Sequence, residues 1–163
     1  MATSSQISED CFLGTNASRK QSSEICDEVA KLYYNKGVAE WGSQYKIAVG
    51  GGFLKLRTPY LVDAGNVTYA DLFSILPFDN EIVLGKISGY YLKSRFLNST
   101  GGDYHVYKTI SAAEVNDNEY YYIVIDSYTS SYRSNNITEI ARLKGTYARD
   151  LLAEFVSEGG WAR

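Results

Sequence analysis

Gly50, Gly51 and Gly52 stand in a row directly after the apolar run Ile47-Ala48-Val49. A strand that runs into consecutive glycines is expected to end in a turn where backbone can approach a neighbour or a ligand closely. Arg57 follows, and then Thr58-Pro59, an extended or turning dipeptide that no helix continues through. Thr68-x-x-Asp71 is a capping-box-like start for a short helix through Leu72 and Phe73 to about Leu76, where Pro77 stops it. Phe78, Asp79 and Asn80 are left on the loop beyond, and loops held by rigid elements are where binding groups collect.

The remaining pattern alternates helix and strand. Residues 1–21 are polar and Ser-rich and read as a lead-in with little order; residues 22–163 read as one domain. From Ser22, the residues Ile25, Val29, Leu32 and Tyr33 recur on one helical stripe, with Ser22 or Ser23 as cap and Gly37 as stop. Tyr45–Val49, Glu81–Ile87, Asp103–Ile110 and Glu119–Ile125 read as strands. Ser88 caps a short helix through Leu92 and Phe96 that Thr100-Gly101-Gly102 breaks, and residues 126–136 read as a polar loop. About Thr146 to Ser157 is a last amphipathic helix. No internal repeat or linker divides the chain. This order predicts a layered α/β or α+β domain with mixed sheets.

Composition matters here for what it excludes. The chain has 163 residues and a net charge of −3, and its Lys and Arg form no run or stripe, so a nucleic-acid partner is not expected. No stretch of 18 apolar residues exists, so membrane insertion is not expected either. Met1-Ala2-Thr3-Ser4-Ser5 lacks the apolar core of an export signal, and the chain is expected to be a piece of a longer one. Cys26 falls on a helix face, which favours a buried free thiol over a bridge to Cys11. One histidine, His105, cannot supply the clustered His, Asp and Asn ligands of two-metal phosphate chemistry. No nucleophile has an activating partner, and no P-loop or dinucleotide fingerprint is present. No catalytic residue, metal or cofactor is therefore assigned to this chain.

Three blocks in order carry a family resemblance: Gly50-Gly51-Gly52 with Arg57; Gly65-Asn66-Val67-Thr68-Tyr69-Ala70-Asp71-Leu72; and Leu76-Pro77-Phe78-Asp79-Asn80. Ile82-Val83-Leu84, Ile87-Ser88-Gly89 and Tyr128 continue it. The chain resembles the C-terminal, substrate-binding domain of the metal-dependent 5'-nucleotidase and UDP-sugar hydrolase family, over roughly Ser22 to Gly159. The resemblance implies a four-layer α/β/β/α sandwich. It also implies an N-terminal metallophosphatase domain elsewhere in the parent chain, holding a divalent metal pair, and a secreted, cell-surface or periplasmic location. Three positions depart from the family pattern. Val49 stands where the family has Asn, Arg57 lies three residues later than usual, and Ser134, beside Asn135, replaces an acid that holds ribose hydroxyls.

The resemblance assigns Phe78 and Tyr128 to the two sides of a base sandwich, Asn80 to the base edge, and Arg57 to phosphate or ribose. Gly51, Gly52 and Asn135 fall near the same site, and Arg19 near a phosphate contact. Flat apolar faces and a guanidinium are what a nucleotide requires chemically. The competing structural roles are a core plug for Phe78, a surface strand position for Tyr128, and solvated charges for Arg57 and Arg19. The expected function is the specificity domain of a secreted nucleotide phosphohydrolase, inactive alone. The alternative is an extracellular interaction module that keeps the fold without nucleotide binding.

Overall fold

The computed structural model describes residues 11–57, 61–98 and 103–163. Its centre is a five-stranded mixed sheet in the order β7-β3-β8-β6-β9. The strands are β3 (Ile47–Phe53), β6 (Glu81–Ser88), β7 (Tyr104–Lys108), β8 (Tyr120–Asp126) and β9 (Ile137–Tyr147). β3 and β8 run parallel, and every other neighbouring pair is antiparallel. The α/β class with a mixed sheet is as expected. Further β structure comes as two two-stranded ladders, β1 (Phe12–Asn16) with β5 (Gly65–Thr68), and β2 (Lys20–Gln21) with β4 (Leu61–Val62).

Alternation along the strands splits the core in two. Ile82, Leu84 and Val124 face helices α1 (Ser22–Trp41), α2 (Tyr69–Ile75) and α5 (Ala148–Ser157), meeting Val29, Tyr33, Leu72, Leu152 and Val156. Val83, Ile87, Ile123 and Ile125 face the other way, against Leu92 of α3 (Gly89–Leu92) and Phe96 and Leu97 of the π-helical turn that prolongs it. The box at the start of α2 is formed as read: Thr68 Oγ1 accepts the Asp71 N–H at 3.3 Å, and Asp71 Oδ2 accepts the Thr68 N–H at 2.8 Å. Cys11 is exposed and Cys26 buried, and both are free thiols.

The triple glycine does not end its strand. It lies inside β3, and each glycine admits a different neighbour. A Cβ on Gly50 would sit 2.5 Å from the Tyr34 backbone nitrogen, so α1 packs directly on bare strand. Gly51 (φ +130°) lies under the His105 carbonyl of β7, and Gly52 (φ +136°) under the Thr129 side chain. Gly37 is likewise no stop: it is buried mid-helix, where a Cβ would collide with Val124, and α1 continues to Trp41.

Other readings are also corrected. The expected lead-in is ordered over residues 11–21 by the β1 and β2 ladders, and Asn16 is buried there with its amide donating to the Val62 and Asp63 carbonyls. Residues 1–10, Thr58-Pro59 and the Thr100-Gly102 break lie outside the described residues. The segment read as a polar loop after β8 begins with a helix, α4 (Ser127–Tyr132), which Asp126 caps. β9, eleven residues long, was not expected at all.

Gly50→Ala is predicted to destabilise the fold by about 3 kcal/mol or more, because the obstacle is helix backbone and cannot rotate away. Gly65→Ala, at φ +115° with nothing within 4 Å, should cost only about 1 kcal/mol from backbone strain. Urea unfolding of the two variants measures the difference.

Candidate functional site

Two aromatic side chains reach the surface close together because each is held from beneath by a buried charged group. The first stands on the loop after α2. Pro77 ends that helix, and the loop's free carbonyls need donors. Arg149, 1% exposed at the start of α5, supplies them. Its Nη1 donates to the Leu76 carbonyl at 2.8 Å and the Phe78 carbonyl at 3.4 Å, its Nη2 to Asp79 at 2.6 Å, and its Nε to the Tyr69 hydroxyl at 2.6 Å. Its guanidinium also covers the Phe73 ring at 4.6 Å. The backbone of Phe78 is thereby fixed while its ring stays 54% exposed. The backbone N–H of Ala148 donates to the Asn80 carbonyl at 3.0 Å, tying the loop's far end to the start of α5.

The second aromatic is Tyr128, on the first turn of α4. Asp126 is 1% exposed; its Oδ1 accepts the Thr129 N–H at 2.7 Å and its Oδ2 accepts the Tyr33 hydroxyl at 2.9 Å. Thr129 Oγ1 in turn accepts the Phe53 N–H at 3.1 Å, which locks α4 to the end of β3. Burial pushes the Asp126 carboxyl up, against the hydrogen bonds from Thr129 and Tyr33 that pull it down. Burial and the Asp126 charge both push the Tyr33 phenol well above its usual range.

Between the two lies a cavity of about 510 Å³, into which Phe53, Arg57, Phe78, Asn80, Asp126 and Tyr128 all project a surface. Arg57 is delivered by the segment leaving β3, where its N–H donates to the Ile75 carbonyl at 2.9 Å. Its guanidinium lies 4.9 Å from the centre of the Phe78 ring. The size and the aromatic-and-cation lining suit one planar, partly anionic small molecule.

Four of the residues expected at the site, Arg57, Phe78, Asn80 and Tyr128, therefore meet in one cavity. Four others do not line it. Gly51 and Gly52 are strand positions, and Gly52 acts one step removed, by admitting Thr129. Asn135 is exposed beyond α4. Arg19 is paired at 2.9 Å with Asp63, both exposed. Phe53, Tyr33 and Asp126 were missed. Phe53 could have been found as the aromatic directly after the glycines, and Asp126 as an acid opening a helix with a Thr three residues on. His105 Nδ1 lies 2.8 Å from Asp27, and among the described residues no three His, Cys, Asp or Glu side chains converge to hold a metal ion.

The cavity with its aromatic walls is set in a mixed-sheet α/β domain. The family can be stated: residues 2–111 match the 5'-nucleotidase C-terminal domain family, and the chain belongs to it. The fold is shared with solved structures. The 5'-nucleotidase precursor of Thermus thermophilus aligns with a TM-score of 0.62 at 12% identity, over 91% of this chain and 36% of that one. The NAD nucleotidase of Haemophilus influenzae gives 0.54 at 12%, over 93% and 36%. The sulfate thiohydrolase SoxB of Thermus thermophilus gives 0.55 at 13%, over 91% and 32%. This chain thus spans less than two fifths of the length of these proteins. No curated protein matches the chain. Among the described residues no helix is long and apolar enough to cross a membrane.

Two outcomes follow from the anchors. Arg149→Met strands the Leu76 and Phe78 carbonyls and leaves Tyr69 with Asp150 alone, and should cost about 3 kcal/mol in thermal unfolding. Asp126 binds its proton more tightly in the folded than in the unfolded state. Its contribution to stability therefore falls as pH rises from the ordinary carboxyl value, about 3.9, through the raised native one. Asp126→Asn removes that dependence, so variant stability relative to wild type should climb with pH across this window in urea unfolding. A constant difference would contradict the raised carboxyl.

Proposed function

We propose that this chain is the substrate-binding domain of a nucleotide phosphohydrolase of the 5'-nucleotidase type, and that it clamps a nucleoside base between Phe78 and Tyr128. The observation that carries the reading is the convergence of these two exposed rings, Asn80 and Arg57 on one cavity. Each ring offers a face worth about 1–3 kcal/mol to a stacked base. The Asn80 amide carries both a donor and an acceptor for the base edge. Arg57, beside Phe78, brings a permanent charge and a planar fork to the phosphate or ribose attached to that base.

Hydrolysis would belong to a partner. In this reading an N-terminal metallophosphatase domain of the same parent chain holds the divalent metal pair and supplies the Lewis acid and activated water. The present domain selects the nucleotide and delivers its phosphate by an interdomain motion. Membership of the family and the fraction of the solved relatives that the chain spans support such a partner. An exported parent protein is part of the same proposal.

The test is an NMR titration of the chain with adenosine, guanosine, cytidine and uridine, and with their 5'-monophosphates. After the costs of ordering, saturable shifts with a dissociation constant near about 1 mM are expected for at least one nucleoside. Phe78→Ala and Tyr128→Ala should each weaken that binding about tenfold. Unchanged spectra with all four nucleosides up to their solubility would overturn the base clamp and favour an interaction module on the same fold.

A further inference from the structure

We infer that the site holds a second anionic group at Arg133, so that its preferred ligand is a nucleotide phosphorylated on both sides of the ribose, of the nucleoside 3',5'-bisphosphate class. This rests on the base-clamp reading and extends it. The observation is a continuous aromatic surface leading away from the cavity. Tyr128 and Tyr132, four residues apart on α4, share a helix face. Their rings are near-parallel (13°) with centres 6.1 Å apart. Phe53 packs against both, at 5.6 and 5.5 Å.

At the far end of that surface sits the Arg133 guanidinium, 4.9 Å from the Tyr132 ring centre and 5.5 Å from that of Tyr104. Its Nε donates to the Tyr104 hydroxyl at 2.7 Å. Contacts with two rings and one hydrogen bond hold the fork, and among the described residues no carboxylate pairs with it. A guanidinium held in this way needs little further ordering to grip a phosphate through its two terminal amino groups.

The charges around the cavity point the same way. Lys55 and Arg57 line it, and Arg133 stands on the Tyr128 side. The acid that lines it, Asp126, is 1% exposed with its oxygens committed to Thr129 and Tyr33. No free carboxylate among the described lining residues offers acceptors to a ribose diol, and two separate cationic positions await anions, Lys55 with Arg57 at one and Arg133 at the other. A nucleoside 5'-monophosphate satisfies one of them, whereas a 3',5'-bisphosphate satisfies both.

The experiment is a titration of the whole chain with whichever of the four nucleosides binds, its 5'-monophosphate, its 3',5'-bisphosphate and inorganic phosphate. The bisphosphate should bind about tenfold tighter than the monophosphate, the worth of one added charge-assisted contact. In Arg133→Gln that ratio should fall to near one while the amide spectrum keeps the dispersion of the folded chain, and Arg133→Lys should retain part of the advantage. Arg57→Gln should weaken both phosphorylated ligands alike. A ratio near one in the wild type, or one that survives Arg133→Gln, overturns the Arg133 position and leaves the base clamp standing. Inorganic phosphate saturating the Arg133 resonances as tightly as the bisphosphate would show a free-anion site and overturn the nucleotide class. Failure of every unphosphorylated nucleoside to bind overturns the base clamp, and this proposal with it.

Discussion

The structure depends on close approach to the bare backbone of the three glycines of β3. A strand with side chains there would hold α1 and α4 several ångströms away, and the cavity between β3, α2 and α4 would not close. With Gly50 bare, α1 lies on the strand at Tyr34, and Tyr33, the preceding residue, reaches Asp126. With Gly52 bare, Thr129 drops onto the strand and accepts the Phe53 N–H. Removal of three side chains from one strand thus sets the position of an aromatic more than seventy residues later in the chain. At Gly50 and Gly51 such packing tolerates no added methyl, because the nearest atoms in the way belong to the main chain of Tyr34 and His105.

Charge does the rest of the positioning, from inside. Arg149 and Asp126 are both 1% exposed, and each divides its charge among several partners. Arg149 spreads its donors over two carbonyls, a carboxylate and a phenol. Asp126 spends its oxygens on a helix N-terminus and a tyrosine. A buried ion costs desolvation, and only a full set of hydrogen bonds offsets it. What the fold gains in return is directional: the Phe78 loop and the α4 turn are each set in one geometry, with their rings left at the surface.

Features written in local chemistry were legible in the sequence. The Thr68–Asp71 box, the Pro77 stop and the apolar run of β6 depend on neighbours within a few residues, and each was found where it was read. Arg57, Phe78, Asn80 and Tyr128, which the resemblance named by position, line one cavity. Three consecutive glycines, by contrast, look the same whether the chain turns or another element presses on a straight strand; only the docking of α1 decides. α4 was hidden because its Ser and Tyr residues have weak helical preference, and a buried Asp cap stabilises it. β9 was missed because it is an edge strand whose outward residues, Glu139, Arg142 and Lys144 among them, mask its alternation. Arg149 was not singled out at all. Nothing local marks an arginine whose partners lie about seventy residues upstream.

That last separation has a kinetic side. The loop bearing Phe78 is closed by a residue 71 positions later, near the C-terminal end of the chain. Contacts of such long range carry the full entropy of loop closure and form late relative to local ones. As the chain leaves the ribosome, α2 and its cap can form early, but the Phe78 wall of the cavity cannot be fixed until α5 has emerged and docked. A nascent or C-terminally clipped chain would therefore carry the residues that line the cavity without the cavity's geometry.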